Sequence, residues 1–265
     1  MPPLRSVHGQ ALDRLGGAIV AGRWPPGATL PPEPTLGEEL GVSRTVVREA
    51  VKSLVARGLL STGPKVGTRV LPPGQWNWFD PEVVHWHTRS GLTREFLRDL
   101  QELRRAVEPA AVRLSAERAT AADLAEIEAA YAGMRAAVEQ GGDYVGHDLR
   151  FHQGLLRASH NRMMVQMSQA LGALLRTSFE ISTARPDSAA QALPLHRAVL
   201  DAVIARRPQR AERASLALID GAREDIEQVL ASGRRLPSLA RPAAPLAPHR
   251  SPKGRPRAAV KEPTP

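Results

Sequence analysis

Apolar residues recur at helical spacing along most of the chain, which predicts a mainly α protein. Near the start, two apolar stripes predict a helix that ends close to Gly22 and another that begins after Ser43. Two short stretches, 59–62 and 68–71, are strand candidates that flank a basic loop bounded by glycines, and together they predict a hairpin. Further stripes predict helices over 96–119, 121–140, 143–159, 163–183, 195–206 and 210–232. Their short connections indicate a C-terminal antiparallel all-α bundle.

The segment 40–54 has the pattern of a turn followed by the second helix of a helix-turn-helix. Gly41 suits a backbone with positive φ, and Ser43 is a good N-cap for the following helix. The apolar stripe of that helix faces inward, which leaves Arg44, Thr45 and Arg48 on its outer, N-terminal turns. These turns enter the major groove when such a helix reads DNA. The alternative is an amphipathic surface helix with two solvated arginines.

The order helix, helix, recognition helix and hairpin describes an N-terminal winged helix-turn-helix. The hairpin loop contains Lys65 and Gly67, which would lie close to a phosphate or the minor groove. We therefore predict DNA contacts from Ser43, Arg44, Thr45, Arg48, Lys65 and Gly67.

Charge divides the chain into regions. Of the net charge of +9, residues 1–72 carry +4 and residues 233–265 carry +7, which leaves −2 for the middle. The basic DNA-binding region is therefore N-terminal. The Pro-rich basic tail, residues 233–265, is expected to be disordered. We predict a DNA-binding domain over 1–72, a linker over 73–82 and a helical domain over 83–232.

Composition adds little beyond this division. The chain has no cysteine, which excludes disulfides and thiolate metal sites. It has neither a long apolar run nor a signal-peptide pattern, so a cytoplasmic protein without a membrane partner is expected. The linker holds Trp76 and Trp78, an aromatic cluster that indicates interdomain packing more often than a ligand clamp.

The motifs resemble those of GntR-type bacterial regulators. The N-terminal resemblance is carried by Gly-Arg-Trp-Pro-Pro-Gly, Leu-Pro-x-Glu, Gly-Val-Ser-Arg-Thr-Val-Val-Arg-Glu-Ala and Gly-Thr-x-Val. Pro34 stands where the family usually has an arginine, so no contact is carried over to that position. The segments 100–110, 116–119, 148–152 and 159–161 resemble the effector domain of the FadR branch. The resemblance implies a homodimeric transcription factor, usually a repressor, that a small organic acid releases from DNA.

Asp148 and His152 are four residues apart, so both project from one helix face, and His196 could join them at one metal ion. Many members of the FadR branch bind zinc or a similar divalent ion with an Asp and three His residues. The place of the last His is Leu218 here, which leaves a three-ligand site with open positions. The alternative is that Asp148 and His152 form a hydrogen-bonded pair without a metal.

Arg104 could hold a ligand carboxylate through two parallel hydrogen bonds. Its alternative role is an internal ion pair with Glu108, four residues on. The expected effector is an aldonate, and galactonate is the first candidate. Its carboxylate and several hydroxyls need a cation and many hydrogen-bond partners. We expect Arg104, Asp148, His152, Asn161 and His196 to provide them.

Three functions compete at this stage. A ligand-responsive DNA-binding regulator explains both halves of the chain and their charge difference. A metal-dependent hydrolase would use Asp148, His152 and His196, but the sequence indicates no accompanying base or nucleophile. A constitutive DNA-binding protein would need no pocket. The first is the function we predict: a non-enzymatic regulator, a repressor of genes for the catabolism of galactonate-like sugar acids.

Overall fold

The computed structural model describes residues 6–64, 66–185 and 187–232. The predicted tail and Lys65 lie outside the described residues. Within the described part, the chain forms the elements α1 (Val7–Val20), α2 (Glu33–Leu40), α3 (Arg44–Ala56), β1 (Leu60–Gly63), β2 (Gly67–Val70), α4 (Pro81–Ser90), α5 (Arg94–Arg118), α6 (Ala121–Gln140), α7 (Tyr144–Ala158), α8 (Arg162–Ser182), α9 (Ser188–Ile204) and α10 (Pro208–Ala231). No described helix is both long and apolar enough to span a membrane.

The N-terminal elements form the predicted winged helix-turn-helix. Gly41 adopts a left-handed conformation with φ of 70° and ends α2. The Ser43 side chain accepts a hydrogen bond from the Val46 amide and begins α3, as its N-cap chemistry predicted. Four residues of α3 share one buried face: Val47, Ala50, Val51 and Leu54.

The wing is a two-stranded antiparallel hairpin in which Leu60 pairs with Val70 and Gly63 with Gly67. Gly67 has φ of 77°, and an added Cβ would lie 3.2 Å from the Thr29 methyl group. Thr29 also forms a bridge to Arg69, so the segment before α2 borders the hairpin. The two predicted strands are confirmed, each with a boundary shift of one residue.

The helix α4 was not predicted as a separate element. Asp80 caps it by accepting hydrogen bonds from the amides of Glu82 and Val83. Val83 and Trp86 belong to the core of the N-terminal elements, whereas Val84 belongs to a core of the bundle. The helix is ten residues long, and its buried residues are divided between the two cores. The domain boundary at residue 83 remains a prediction.

The helices α5 to α10 form the predicted bundle, and five of the six predicted ranges agree with it to within two residues at each end. The start of α9 was predicted wrongly, because Pro194 was treated as the residue before the helix. The helix begins at Ser188, after Asp187 in a left-handed conformation, and continues through Pro194. A proline removes one backbone hydrogen bond, and packing of α9 against α6 and α10 holds the helix together despite that loss.

Candidate functional site

The start of α3 presents an exposed polar surface. Ser43, Arg44 and Thr45 are all exposed, and Arg44 has no hydrogen-bond or ion-pair partner within the described part of the chain. The buried stripe of α3 fixes the helix from behind, so this first turn projects away from the core. An arginine in such a position can donate two hydrogen bonds to the O6 and N7 atoms of a guanine.

Arg48 differs from Arg44 because its guanidinium already has an intramolecular partner. Its Nη2 lies 3.2 Å from Oε2 of Glu33 at the start of α2, and the Arg48 side chain is 55% exposed. An exposed ion pair of this kind is weak, so it leaves Arg48 available to a phosphate or a base edge. The same ion pair connects α3 with the start of α2.

The wing brings one further basic residue to the surface. Arg69 is exposed on β2, with Val70 buried beside it. Sequence reasoning missed Arg69, although the alternation of Thr68, Arg69 and Val70 is the signal that predicts an outward side chain. Gly67 lies where it was predicted, at the start of β2, and its backbone is exposed.

A polar cavity of about 240 Å³ lies among α5, α7, α8, α9 and α10. Four residues predicted as effector ligands line it: Arg104, Asp148, His152 and His196. Asn161 is not among the lining residues, and its side chain instead accepts hydrogen bonds from the amides of Met163 and Met164 as the N-cap of α8. The structure therefore brings together four of the five predicted effector residues.

Asp148 is the centre of the predicted three-residue cluster. Its Oδ1 lies 3.1 Å from Nε2 of His196 and 3.3 Å from Nε2 of His152, and all three side chains are at most 6% exposed. Burial opposes ionisation of Asp148, but the charge of His196 and the hydrogen bonds from both imidazoles outweigh it and lower the pKa of this carboxyl. Both histidines therefore contact Asp148 directly, an arrangement that fits the metal site as well as the metal-free pair.

Glu108 extends the cluster and was considered from sequence only as a partner of Arg104. Its Oε1 accepts a hydrogen bond from Nε of Arg104 at 2.7 Å, and its Oε2 lies 2.8 Å from Nδ1 of His152. Burial opposes the charge on Glu108, but the neighbouring charges of Arg104 and His152 outweigh it and lower its pKa to about 2. Burial likewise opposes a charged His152, but Glu108 and Asp148 raise its pKa to about 9.

The Nδ1 atoms of His152 and His196 both have a polar partner. Nδ1 of His196 donates to the carbonyl of Ala192 at 2.9 Å, while Nδ1 of His152 faces Glu108. This is how second partners orient histidines that bind a metal through Nε2. The ligand atoms of Asp148, His152 and His196 all lie within 4.8 Å of one another. Leu218 lines the cavity at the place where the resemblance implied a fourth ligand.

Two polar groups of the cavity lining have no hydrogen-bond partner among the described residues. They are Nη1 of Arg104 and the hydroxyl of Tyr144, and their residues are 3% and 8% exposed. Burial and the charge of Asp148 raise the pKa of Tyr144, so its hydroxyl stays a neutral donor. Sequence reasoning missed Tyr144, although its position four residues before Asp148 places it on the same helix face.

Comparison with known families matches both halves of the chain. Residues 8–70 match the family of bacterial regulatory proteins called gntR, and residues 99–221 match the FCD domain. Together these ranges contain the exposed start of α3 and most of the cavity lining.

Two regulators of Escherichia coli K12 are similar over most of their length. The galactonate operon transcriptional repressor is 36% identical over 217 residues, which are 81% of this chain and 94% of the repressor. The Glc operon transcriptional activator is 30% identical over 92% of this chain and 96% of its own. The solved structure of Lar, which controls the agr system of Listeria monocytogenes, has a TM-score of 0.61 at 15% identity and covers 85% of this chain and 98% of that chain. The likeness to Lar shows a shared fold only.

Proposed function

The chain belongs to the GntR family of bacterial regulatory proteins, and from that premise we propose that it represses genes for sugar-acid catabolism until an aldonate releases it from DNA. It is a DNA-binding transcriptional regulator with an FCD effector domain. The repressor role and the aldonate class rest on the similarity to the galactonate operon repressor and on the chemistry of the cavity.

One feature of the cavity supports an aldonate as the effector. The cavity has a buried guanidinium with Nη1 lacking a partner in the described residues, beside a cluster of hydrogen-bonding side chains. A buried donor without a partner costs free energy, which a carboxylate oxygen would recover once a shift of the Arg104 side chain opens Nη1 to the cavity. The remaining lining includes groups that suit the hydroxyls of an aldonate: Ser182, Thr183, Ser188, Gln191 and Gln228.

Asp148, His152 and His196 fit a divalent ion, because their Nε2 and carboxylate atoms converge and their outer nitrogens are oriented by second partners. Such an ion would supply positive charge for carboxylate oxygens of the effector. The chain's own contribution is to hold these three side chains in place through Glu108 and the Ala192 carbonyl. Metal analysis of purified wild-type protein and of His152→Ala tests this part of the proposal.

A chain of packed helices connects the cavity to the DNA-binding domain. Phe179 and Ser182 of α8 line the cavity, α8 packs against α4, and α4 packs against α1. Nε1 of Trp86 on α4 donates to Asp13 of α1 at 2.9 Å. We propose that the ligand favours one arrangement of α8 and α4, and that in a homodimer this changes the spacing of the two recognition helices. A typical coupling would weaken operator binding about 5- to 150-fold.

DNA binding is tested first with operators selected from random-sequence DNA by the wild-type protein. Arg44→Ala should weaken specific binding by about 1 to 3 kcal/mol, because it removes one base contact. Lys52→Ala is the matched control, since Lys52 is exposed on the same helix but lies two turns from its start. Equal affinities of Arg44→Ala and wild type in gel-shift titrations would contradict this role of α3.

The effector is tested by calorimetry with a panel of aldonates that includes galactonate, with and without operator DNA. Linkage requires that operator DNA weaken effector binding by the same factor by which the effector weakens operator binding. Sedimentation of the same samples tests the homodimer. If no aldonate binds, the effector class is wrong; if one binds equally with and without DNA, the release mechanism is wrong.

A further inference from the structure

An acidic side chain lies beside the exposed face of α3. Glu33, the first residue of α2, faces Arg48: Nε of Arg48 lies 3.4 Å from Oε1 and 3.3 Å from Oε2, and Nη2 lies 3.2 Å from Oε2. The carboxylate belongs to the first turn of a helix, where the helix dipole favours a negative charge. The Glu33 side chain is 31% exposed and that of Arg48 is 55% exposed. Glu33 therefore holds the guanidinium from one side at the surface of the domain.

The geometry of this ion pair decides which donors of Arg48 stay free. A guanidinium carries five N–H groups in one plane. The contacts with Glu33 use Nε and one N–H of Nη2, which leaves Nη1 and the other N–H of Nη2 without a partner among the described residues. Two parallel N–H groups on that free edge match the O6 and N7 atoms of guanine. Arg44 lies one turn earlier on the same face of α3, so both arginines can approach bases in one groove.

The charge of Glu33 opposes binding to DNA of any sequence, because a carboxylate close to the duplex repels the phosphates. Glu33 can favour binding only through the orientation that it gives Arg48. In the free protein this exposed ion pair is weak. At the DNA surface water is excluded, and the attraction between the two side chains strengthens as the local dielectric constant falls. A guanidinium that is already oriented also loses less conformational freedom on binding than a mobile one.

We propose that Glu33 is a positioning residue for operator recognition, which directs the free edge of Arg48 to a guanine base and away from the phosphates. This inference rests on the proposed contact of α3 with operator DNA and deepens it, because it assigns Arg48 to base recognition rather than to backbone binding. The operator then has a G·C pair at the position that Arg48 contacts. Glu33 raises sequence specificity while it lowers the affinity for DNA of any sequence.

The test compares full-length wild type with Glu33→Gln and Arg48→Ala in gel-shift titrations. The DNA probes are an operator selected by wild type, the set of its single-base-pair substitutions and a duplex of unrelated sequence. Glu33→Gln should lower the ratio of operator affinity to unrelated-duplex affinity about 3- to 10-fold, a part of the roughly 5- to 150-fold that one bidentate base contact supplies. The loss should fall on one G·C pair, whose substitution weakens binding less in Glu33→Gln than in wild type.

Glu49→Gln is the matched control for charge. Glu49 is exposed on α3 and pairs with Lys52 at 2.9 Å, so its substitution removes the same negative charge without touching the contacts of Arg48 with Glu33. Glu49→Gln should strengthen binding to all duplexes alike and keep the wild-type ratio at every base pair. Circular dichroism checks that these exposed substitutions leave the fold intact.

Equal ratios for Glu33→Gln and Glu49→Gln would overturn the inference, because only net charge would then matter. Unchanged base selectivity in Arg48→Ala would overturn it too, since Arg48 would then contact the backbone alone. Adding Glu33→Gln to Arg48→Ala should leave the ratio of Arg48→Ala unaltered, and a further drop would mean that Glu33 does not act through Arg48. If wild type selects no operator, the proposed role of α3 fails and this inference with it. If wild type selects an operator that depends on Arg44 but not on Glu33, only this inference fails.

Discussion

The interiors of the two halves of the molecule differ in chemistry. The core around α1 to α3 and the hairpin is built from apolar side chains such as Leu15, Leu36 and Leu54. The polar and charged residues that are buried as whole residues all lie, among the described residues, between Gln101 and Ser215 in the helical half. An apolar core gives the DNA-binding domain a rigid support, and the polar residues of this domain remain on the surface, where they can contact DNA. The helical half instead places charged groups inside, where they cost stability unless a partner or a ligand compensates them.

The first prediction tests how strongly the helical half depends on its buried charges. Glu108→Ala should destabilise the fold by about 3 to 5 kcal/mol, because it leaves Arg104 and His152 buried without their shared carboxylate. Glu117→Ala on the same helix is the matched control. It removes an exposed pair with Arg113 and should cost about 1 kcal/mol or less. Urea unfolding of both variants gives the comparison, and similar losses would mean that the buried network is not coupled as described.

The second prediction concerns His87, a polar group held among aromatic rings where the halves meet. Its ring lies 4.3 Å from Trp78 and 5.4 Å from Phe96, and neither ring nitrogen has a partner among the described residues. Burial disfavours the imidazolium and lowers the pKa of His87 to about 4. The folded state therefore binds a proton less readily than the unfolded state does.

The stabilisation from a neutral His87 is complete above pH 6.5 and is lost as the pH falls towards 4. Between pH 7 and pH 4.5, wild type should lose about 2 kcal/mol more stability than His87→Phe, which cannot titrate. Unfolding free energies at a series of pH values provide the measurement. Parallel curves for the two proteins would show that His87 is not desolvated in the folded state.

The third prediction tests the tight packing of the apolar half. A Cβ on Gly16 would lie 2.5 Å from the ring of Trp86, whereas one on Gly17 would lie 3.9 Å from it. Gly16→Ala should therefore destabilise the protein by about 1 to 3 kcal/mol through overpacking between α1 and α4. Gly17→Ala should be neutral or stabilise α1 by up to about 1 kcal/mol, because alanine favours a helix. Thermal unfolding of the pair decides this, and equal effects would contradict the described contact.

Local chemistry made much of the fold predictable. The cap of α3 at Ser43, the left-handed Gly41 and the capping box of Thr120 and Asp123 depend on neighbouring residues alone. The same holds for the spacing of Asp148 and His152, which helix geometry places on one face. Predictions failed where packing overrides the local signal, as in α9, which continues through Pro194.

The sequence by itself determined most of the helix ends, the wing and most of the candidate residues, because these features depend on spacing and on backbone preference. Only the tertiary structure decided which candidates meet. It joined Glu108 of α5 to His152 of α7, brought Tyr144 into the cavity lining and used Asn161 as a helix cap outside it. The physical reason is that a buried charge or hydroxyl takes its partner from another helix, and the distance between helices is set by the packing of whole apolar faces.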